Sequence, residues 1–147
     1  MNNEIIDKNY AGDGIYRENI LDHYAHPRNF GKLENFDAEF KEFNPLCGDE
    51  TTIQIKVENN IIKDIKFSGR GCAISVAASS MLLTELKGKQ LEYLKNLQKE
   101  FVYDLLSIPI SPVRVKCALL SLEAVRRVIQ VYEGRKVNIV DKSKVCF

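Results

Sequence analysis

No apolar run in the sequence is long enough to cross a bilayer, and the opening stretch, Met1 to Gly14, is polar and mixed in charge rather than signal-like. These absences predict a cytoplasmic protein. Neither sign of charge dominates: 21 basic against 20 acidic side chains leave a net charge of +1, which removes the electrostatic case for a nucleic-acid or membrane-surface partner. There is no internal repeat, low-complexity tract or Gly/Ser linker to divide the chain, so its 147 residues are expected to form one α+β domain. What is present is an ordinary globular composition, 45% hydrophobic and 28% charged, sufficient for a real core.

The first periodic segment, "IYRENILDHYAHP", spaces Ile15, Ile20, Leu21 and Tyr24 as an amphipathic helix that Pro27 stops, with residues 1–14 as a tail. "AEFKEF" reads as a strand ended by the Asn44-Pro45 turn. The next pair is stronger. "TTIQIKV" places Ile53, Ile55 and Val57 on one face, and "IIKDIKF" places Ile61, Ile65 and Phe67 on one face, with Gln54, Lys56, Asp64 and Lys66 opposite. Glu58-Asn59-Asn60 joins them, and asparagines tolerate the positive φ of a tight hairpin. An antiparallel sheet with one face covered by helices follows. Beyond it, "SGRGCAISVAASSMLLTELKG" predicts a helix ending near Gly88; a broken helical stretch runs from about Gln90 to Leu106, and "IPISP" interrupts the pattern. A long last helix from "VRVKC" is expected to end at Gly134, so that a domain over 15–134 is followed by a tail, 135–147.

Four cysteines in a reducing compartment argue against a disulfide framework. Cys47-Gly48-Asp49 sits in the turn before a strand, where residues two apart point the same way and can converge on one ion. Cys72 follows "SGRG" at a strand-to-helix junction, facing free backbone N–H groups and the positive end of a helix dipole. Cys117 lies at another helix start with Lys116 and Arg114 beside it. Against this, free cysteine is among the most buried residue types, and taken alone Cys117 reads sooner as packing, while Cys47 and Cys72, in glycine-flanked turns, read equally either way. The spacing, 22 residues between Asp49 and Cys72 and 44 between Cys72 and Cys117, matches no compact zinc finger. A Cys₃Asp site would still be coherent chemistry, three soft thiolates and one oxygen suiting tetrahedral zinc, with the carboxylate able to leave and admit iron, sulfur or a partner's ligand. His23 and His26, three apart, read either as two metal ligands or as a cationic helix end facing a partner.

The motifs "DHYAHPRNFGKL", "NPLCGDE", "GRGCAIS", "AASSM" and "PVRVKCALLSLEAV", in this order from about Tyr16 to about Tyr132, resemble the U-type iron–sulfur cluster assembly scaffold family, which includes IscU-type, SufU-type and NifU N-terminal proteins. The resemblance implies a three-stranded sheet with helices packed on it and one exposed metal or cluster site. It carries Cys47, Asp49, Cys72 and Cys117 over as ligand or sulfur-handling positions, while Cys146 matches nothing in the pattern. IscU-type scaffolds have histidine before the third cysteine; SufU-type proteins have "R-x-K-C", as Arg114, Val115, Lys116 and Cys117 do here. That implies a zinc site closed by Asp49 and a sulfurtransferase-like carrier taking persulfide sulfur from a cysteine desulfurase. The implied acceptor is Cys47, then Cys117, with Arg114 anchoring a thiolate or the carboxylate. The short Cys72 to Cys117 spacing is closer to IscU-type proteins, as is Pro112-Val113, which loosely matches their chaperone-recognition segment. These features imply the alternative, a scaffold holding iron or a labile [2Fe–2S] cluster on Cys47, Cys72 and Cys117 for transfer to apoproteins or other assembly factors.

Overall fold

The computed structural model describes the backbone of residues 3–46 and 48–138, and the side chains of 14–46 and 48–134. Helix α1 (Asn3–Ala25) leads into a sheet of β1 (Ala38–Asn44), β2 (Asp49–Glu58) and β3 (Ile61–Arg70). Helices α2 (Ala73–Leu86), α3 (Leu91–Lys95) and α4 (Lys99–Leu106) follow, then a 3₁₀ turn (Pro112–Arg114) and α5 (Val115–Asn138). The three strands are antiparallel in the order β1-β2-β3. The α+β architecture, the covered sheet and the long final helix thus agree with the sequence.

The hairpin is made by Asn59 and Asn60, both left-handed at φ 54° and 63°, a two-residue turn whose twist matches that of the strands. One detail of the strand pattern is corrected here. Lys56 pairs with Asp64 but Val57 pairs with Ile62, so Lys63 is an extra residue, and this bulge swaps the faces beyond it. Ile62, rather than Ile61, therefore enters the core; Ile61 is 38% exposed. The helices cover one face of the sheet, α5 across β1 and β2 and α2 across β3, with α1 packed on α2. Ile53, Ile55, Ile62 and Ile65 meet Leu82, Leu83 and Leu86 of α2 and Leu122 and Val125 of α5, all fully buried.

The opposite face is not simply solvated. Asn29 and Gly31 exchange backbone hydrogen bonds with Phe67 on the edge of β3, and Asp37 accepts from Val57 N–H at 2.7 Å. The segment between them crosses the sheet, and Leu33 N–H donates to Gln54 Oε1 at 2.7 Å, which buries Gln54.

Two helix boundaries differ from the expected ones. The first helix starts at Asn3, continuing through residues read as a tail, and the last passes Gly134 to Asn138. Gly134 sits among Tyr132, Glu133 and Arg135, which continue a helix readily, and one glycine costs only about 1 kcal/mol there. Of the four apolar residues assigned to the first helix's inner face, Ile20 is buried, while Ile15, Leu21 and Tyr24 are exposed.

Polar His23 completes that contact: its Nδ1 meets Ser80 Oγ at 2.7 Å, and Arg28 N–H donates to the same oxygen at 2.8 Å. Ser80 Oγ thus accepts from Arg28 and shares a hydrogen bond with the imidazole, whose Nδ1 donates or accepts according to its tautomer. Partial burial, then the nearby Arg28 guanidinium, hold the His23 pKa below its ordinary value, against the opposing pull of Asp22. Because the unfolded chain binds the proton more readily, folding stability should rise with pH through the window just below about 6.5 and level off above it. His23→Gln is expected to flatten that slope relative to wild type in urea unfolding measured at several pH values; equal slopes would remove His23 from the account.

Candidate metal centre

The site lies at the end of the sheet opposite the hairpin. Asn44 and Asp49 pair across β1 and β2, and the turn between them is closed twice by Asn44: its carbonyl accepts Gly48 N–H at 2.8 Å and its Oδ1 accepts Leu46 N–H at 3.1 Å. Gly48, at φ 74°, supplies the left-handed residue such a turn needs. Asp49 is delivered as the first residue of β2, only 4% exposed. Cys47, and likewise Cys146, lie outside the described residues.

From the other side, β3 leads through Gly69 to Cys72, which stands just before the first turn of α2. A Cβ on Gly71 would come within 2.1 Å of Ser75 Oγ and 3.2 Å of Asp49 Cγ. Only glycine therefore lets this backbone lie against the carboxyl group, and Cys72 N–H donates to Asp49 Oδ1 at 3.2 Å. The half-buried Cys72 makes no side-chain cap bond to the helix start, which leaves its sulfur for other use.

Cys117 is the third residue of α5 and 2% exposed. Its sulfur, the Cys72 sulfur and an Asp49 oxygen all lie within 4.8 Å of one another. Three of the four ligand positions implied by the sequence are thus brought together from three elements. The second Asp49 oxygen, Oδ2, is buried with no hydrogen-bond partner. A buried acceptor without a donor is costly, and a cation seated between it and two thiols would satisfy it. The donor set, sulfur with one carboxylate oxygen, fits zinc.

Among the described residues no histidine joins this cluster; His23 is turned to Ser80 instead. Arg114 is exposed on the 3₁₀ turn and forms no ion pair with Asp49. Lys116, also exposed, lines a groove of about 400 Å³ with Phe43, Leu46, Leu119 and Arg127. Leu46, in the turn after β1, and Val113, on the 3₁₀ turn before α5, stand out as more than four-fifths exposed, at 81% and 83%. Ser75, which the sequence marks only as a small residue suited to close helix packing, has a place at the site: its hydroxyl donates to the Cys72 carbonyl at 3.1 Å. The available signal was a serine three residues into a helix that begins after a cysteine, a placement suited to local side-chain-to-backbone bonding.

The sequence and the fold are similar to those of known proteins. Residues 15–139 match the model of the NifU-like N terminal domain. The chain is 39% identical over 130 residues to iron-sulfur cluster assembly scaffold protein IscU 1 of Archaeoglobus fulgidus, covering 88% of this chain and 84% of that protein. It is 36% identical over 139 residues to the zinc-dependent sulfurtransferase SufU of Bacillus subtilis, covering 83% and 94%. In structure it is similar to a putative iron-sulfur cluster assembly scaffold protein for the SUF system from Fervidobacterium islandicum, with TM-score 0.68 and 26% identity, covering 76% of this chain and 94% of the other. With the family model spanning most of the sequence, and relatives above 30% identity matched over most of their length, the chain belongs to the NifU-like N terminal domain family.

Proposed function

We propose that this protein acts in iron–sulfur cluster biogenesis as a zinc-dependent acceptor of persulfide sulfur from a cysteine desulfurase in the cytoplasm. The observation that carries the reading is the Asp49–Cys72–Cys117 cluster, buried at Asp49 and Cys117 and half-buried at Cys72, with its unpartnered carboxyl oxygen. It is supported by Lys116 in the position where a scaffold of the IscU type has histidine, since an ammonium donates and does not ligate. Zinc held by Cys47, Asp49, Cys72 and Cys117 would keep the thiols deprotonated and the site ordered. The thiolate of Cys47 attacks the outer sulfur of the partner's persulfide. The new bond joins Cys47 to that sulfur, the partner's S–S bond breaks, and its thiolate leaves with the electron pair. Arg114, on the exposed turn ahead of Cys117, would steady the thiolate or the carboxylate by charge-assisted hydrogen bonding. Cys117 is the second choice of acceptor.

A second reading is supported by the 39% identity to a protein named an assembly scaffold. There a [2Fe–2S] cluster is cargo, carried on Cys47, Cys72 and Cys117 and passed to apoproteins. Anaerobic purification with metal analysis separates the two: about one zinc per chain without visible colour favours the first, iron and sulfide with visible absorption the second. With a thiol reductant present to reduce the persulfide, sulfide release from free cysteine by a desulfurase of the SufS, IscS or NifS type should then rise on adding the zinc protein. Cys47→Ala should abolish that rise. A Cys47→Ala protein that stimulates as well as wild type overturns the assignment of the acceptor.

A further inference from the structure

Behind the metal ligands, β2 and α2 are separated by a crevice lined by Thr51, Phe67, Gly69, Ser75, Val76 and Ser79. Its volume open to a water centre is about 10 Å³, the threshold for holding a single water molecule. Thr51 is 3% exposed, and its Oγ1 is buried with no hydrogen-bond partner. It follows Asp49 by two residues on β2 and so shares its face. Across the crevice, Ser75 and Ser79 stand one helical turn apart, both buried. Ser75 Oγ already donates to the Cys72 carbonyl at 3.1 Å, and Ser79 Oγ donates to the Ser75 carbonyl at 2.9 Å. Each serine has spent its proton and keeps lone pairs, whereas Thr51 has a proton and no acceptor.

Thr51 therefore lacks an acceptor, and the free lone pairs of the two serines suit an acceptor that also donates twice. We propose that a resident water fills this crevice, accepting from Thr51 Oγ1 and donating to Ser75 Oγ and Ser79 Oγ. It ties the strand that carries Asp49 to the helix start that carries Cys72. Thr51 and Ser75 are thereby positioning residues for those two ligands, a consequence that rests on the metal reading above. The match of crevice size to one water and of three hydroxyls to its bonding capacity is independent of any metal. Buried water of this kind contributes nearly what a direct hydrogen bond does, and partners behind metal ligands commonly affect metal retention.

Two measurements decide it. A high-resolution crystal structure of the wild-type protein should show a water peak within hydrogen-bond distance of Thr51 Oγ1 and at least one of the two serines. An empty crevice, or a Thr51 hydroxyl turned to a protein acceptor, overturns the site whether or not zinc is bound. In zinc-loaded protein, Thr51→Val should speed zinc loss to a chelator by about tenfold while Thr51→Ser behaves as wild type. If Thr51→Val removes the water but leaves the rate of zinc loss unchanged, the positioning role is wrong and the water is purely structural. Wild-type protein that retains no zinc would instead sink the metal reading, leaving the water peak to judge the crevice.

Discussion

Removing zinc from the purified protein is expected to lower its melting temperature by about 12 °C, because ligation at free metal a thousandfold above the dissociation constant contributes about 4 kcal/mol and a domain of this size gains about 3 °C per kcal/mol. The fold should survive the loss. Ile53, Ile55, Ile62 and Ile65 are buried against two helices without help from the site, unlike a small zinc finger, whose folding depends on the metal outright. Bound zinc would tie together one end of the molecule: the start of β2 through Asp49, the start of α2 through Cys72 and the start of α5 through Cys117. Scanning calorimetry with and without chelator, followed by zinc re-addition, checks this. A melting temperature that does not move, or that is not restored by zinc, removes the metal from the folded state's energetics.

The same convergence explains what could be read in the sequence. The hairpin was legible because strand alternation and two consecutive asparagines are local signals, each acting within a few residues. The helix after "SGRGC" and the interruption at "IPISP" were legible for the same reason. The register error at Ile61 arose where locality fails: whether Lys63 is accommodated in the ladder or as a bulge depends on Val57 across the hairpin. The burial of Gln54 was hidden in the same way, since its partner is the Leu33 backbone, 21 positions earlier.

The candidate ligands show a similar division. Glycines beside Cys47 and Cys72 and helix starts at Cys72 and Cys117 marked each residue singly, but nothing in the intervals of 22 and 44 residues places them together. Only the resemblance to a known family did that. The close packing of Gly71, Ser75 and Asp49 that makes the approach possible depends on backbone meeting side chain across two elements, and no periodicity encodes it. His23 likewise looked like a cation at a helix end, whereas partial burial lowers its pKa and Ser80 gives its ring a hydrogen-bond partner inside the fold.

Asp49→Ala should have effects of very different size in the two states of the protein. In zinc-loaded protein it removes one ligand of the set, and affinity measured by chelator competition is expected to fall at least about 100-fold, the upper end of what losing a mere outer partner costs. At a fixed free zinc concentration that is about 2.7 kcal/mol, or about 8 °C in melting temperature. In metal-free protein the balance differs. The variant deletes a buried oxygen, Oδ2, that has no partner, relieving about 1–3 kcal/mol. Against this, it strips Cys72 N–H of its acceptor and leaves a small void, together of comparable size. Metal-free Asp49→Ala should therefore melt within about 3 °C of metal-free wild type. An equal, large loss in both states would mean that Asp49 is a structural carboxyl holding the Cys72 turn. A loss confined to the zinc-loaded state identifies it as a ligand whose unsatisfied oxygen is the cost, in the absence of metal, of keeping a coordination position ready.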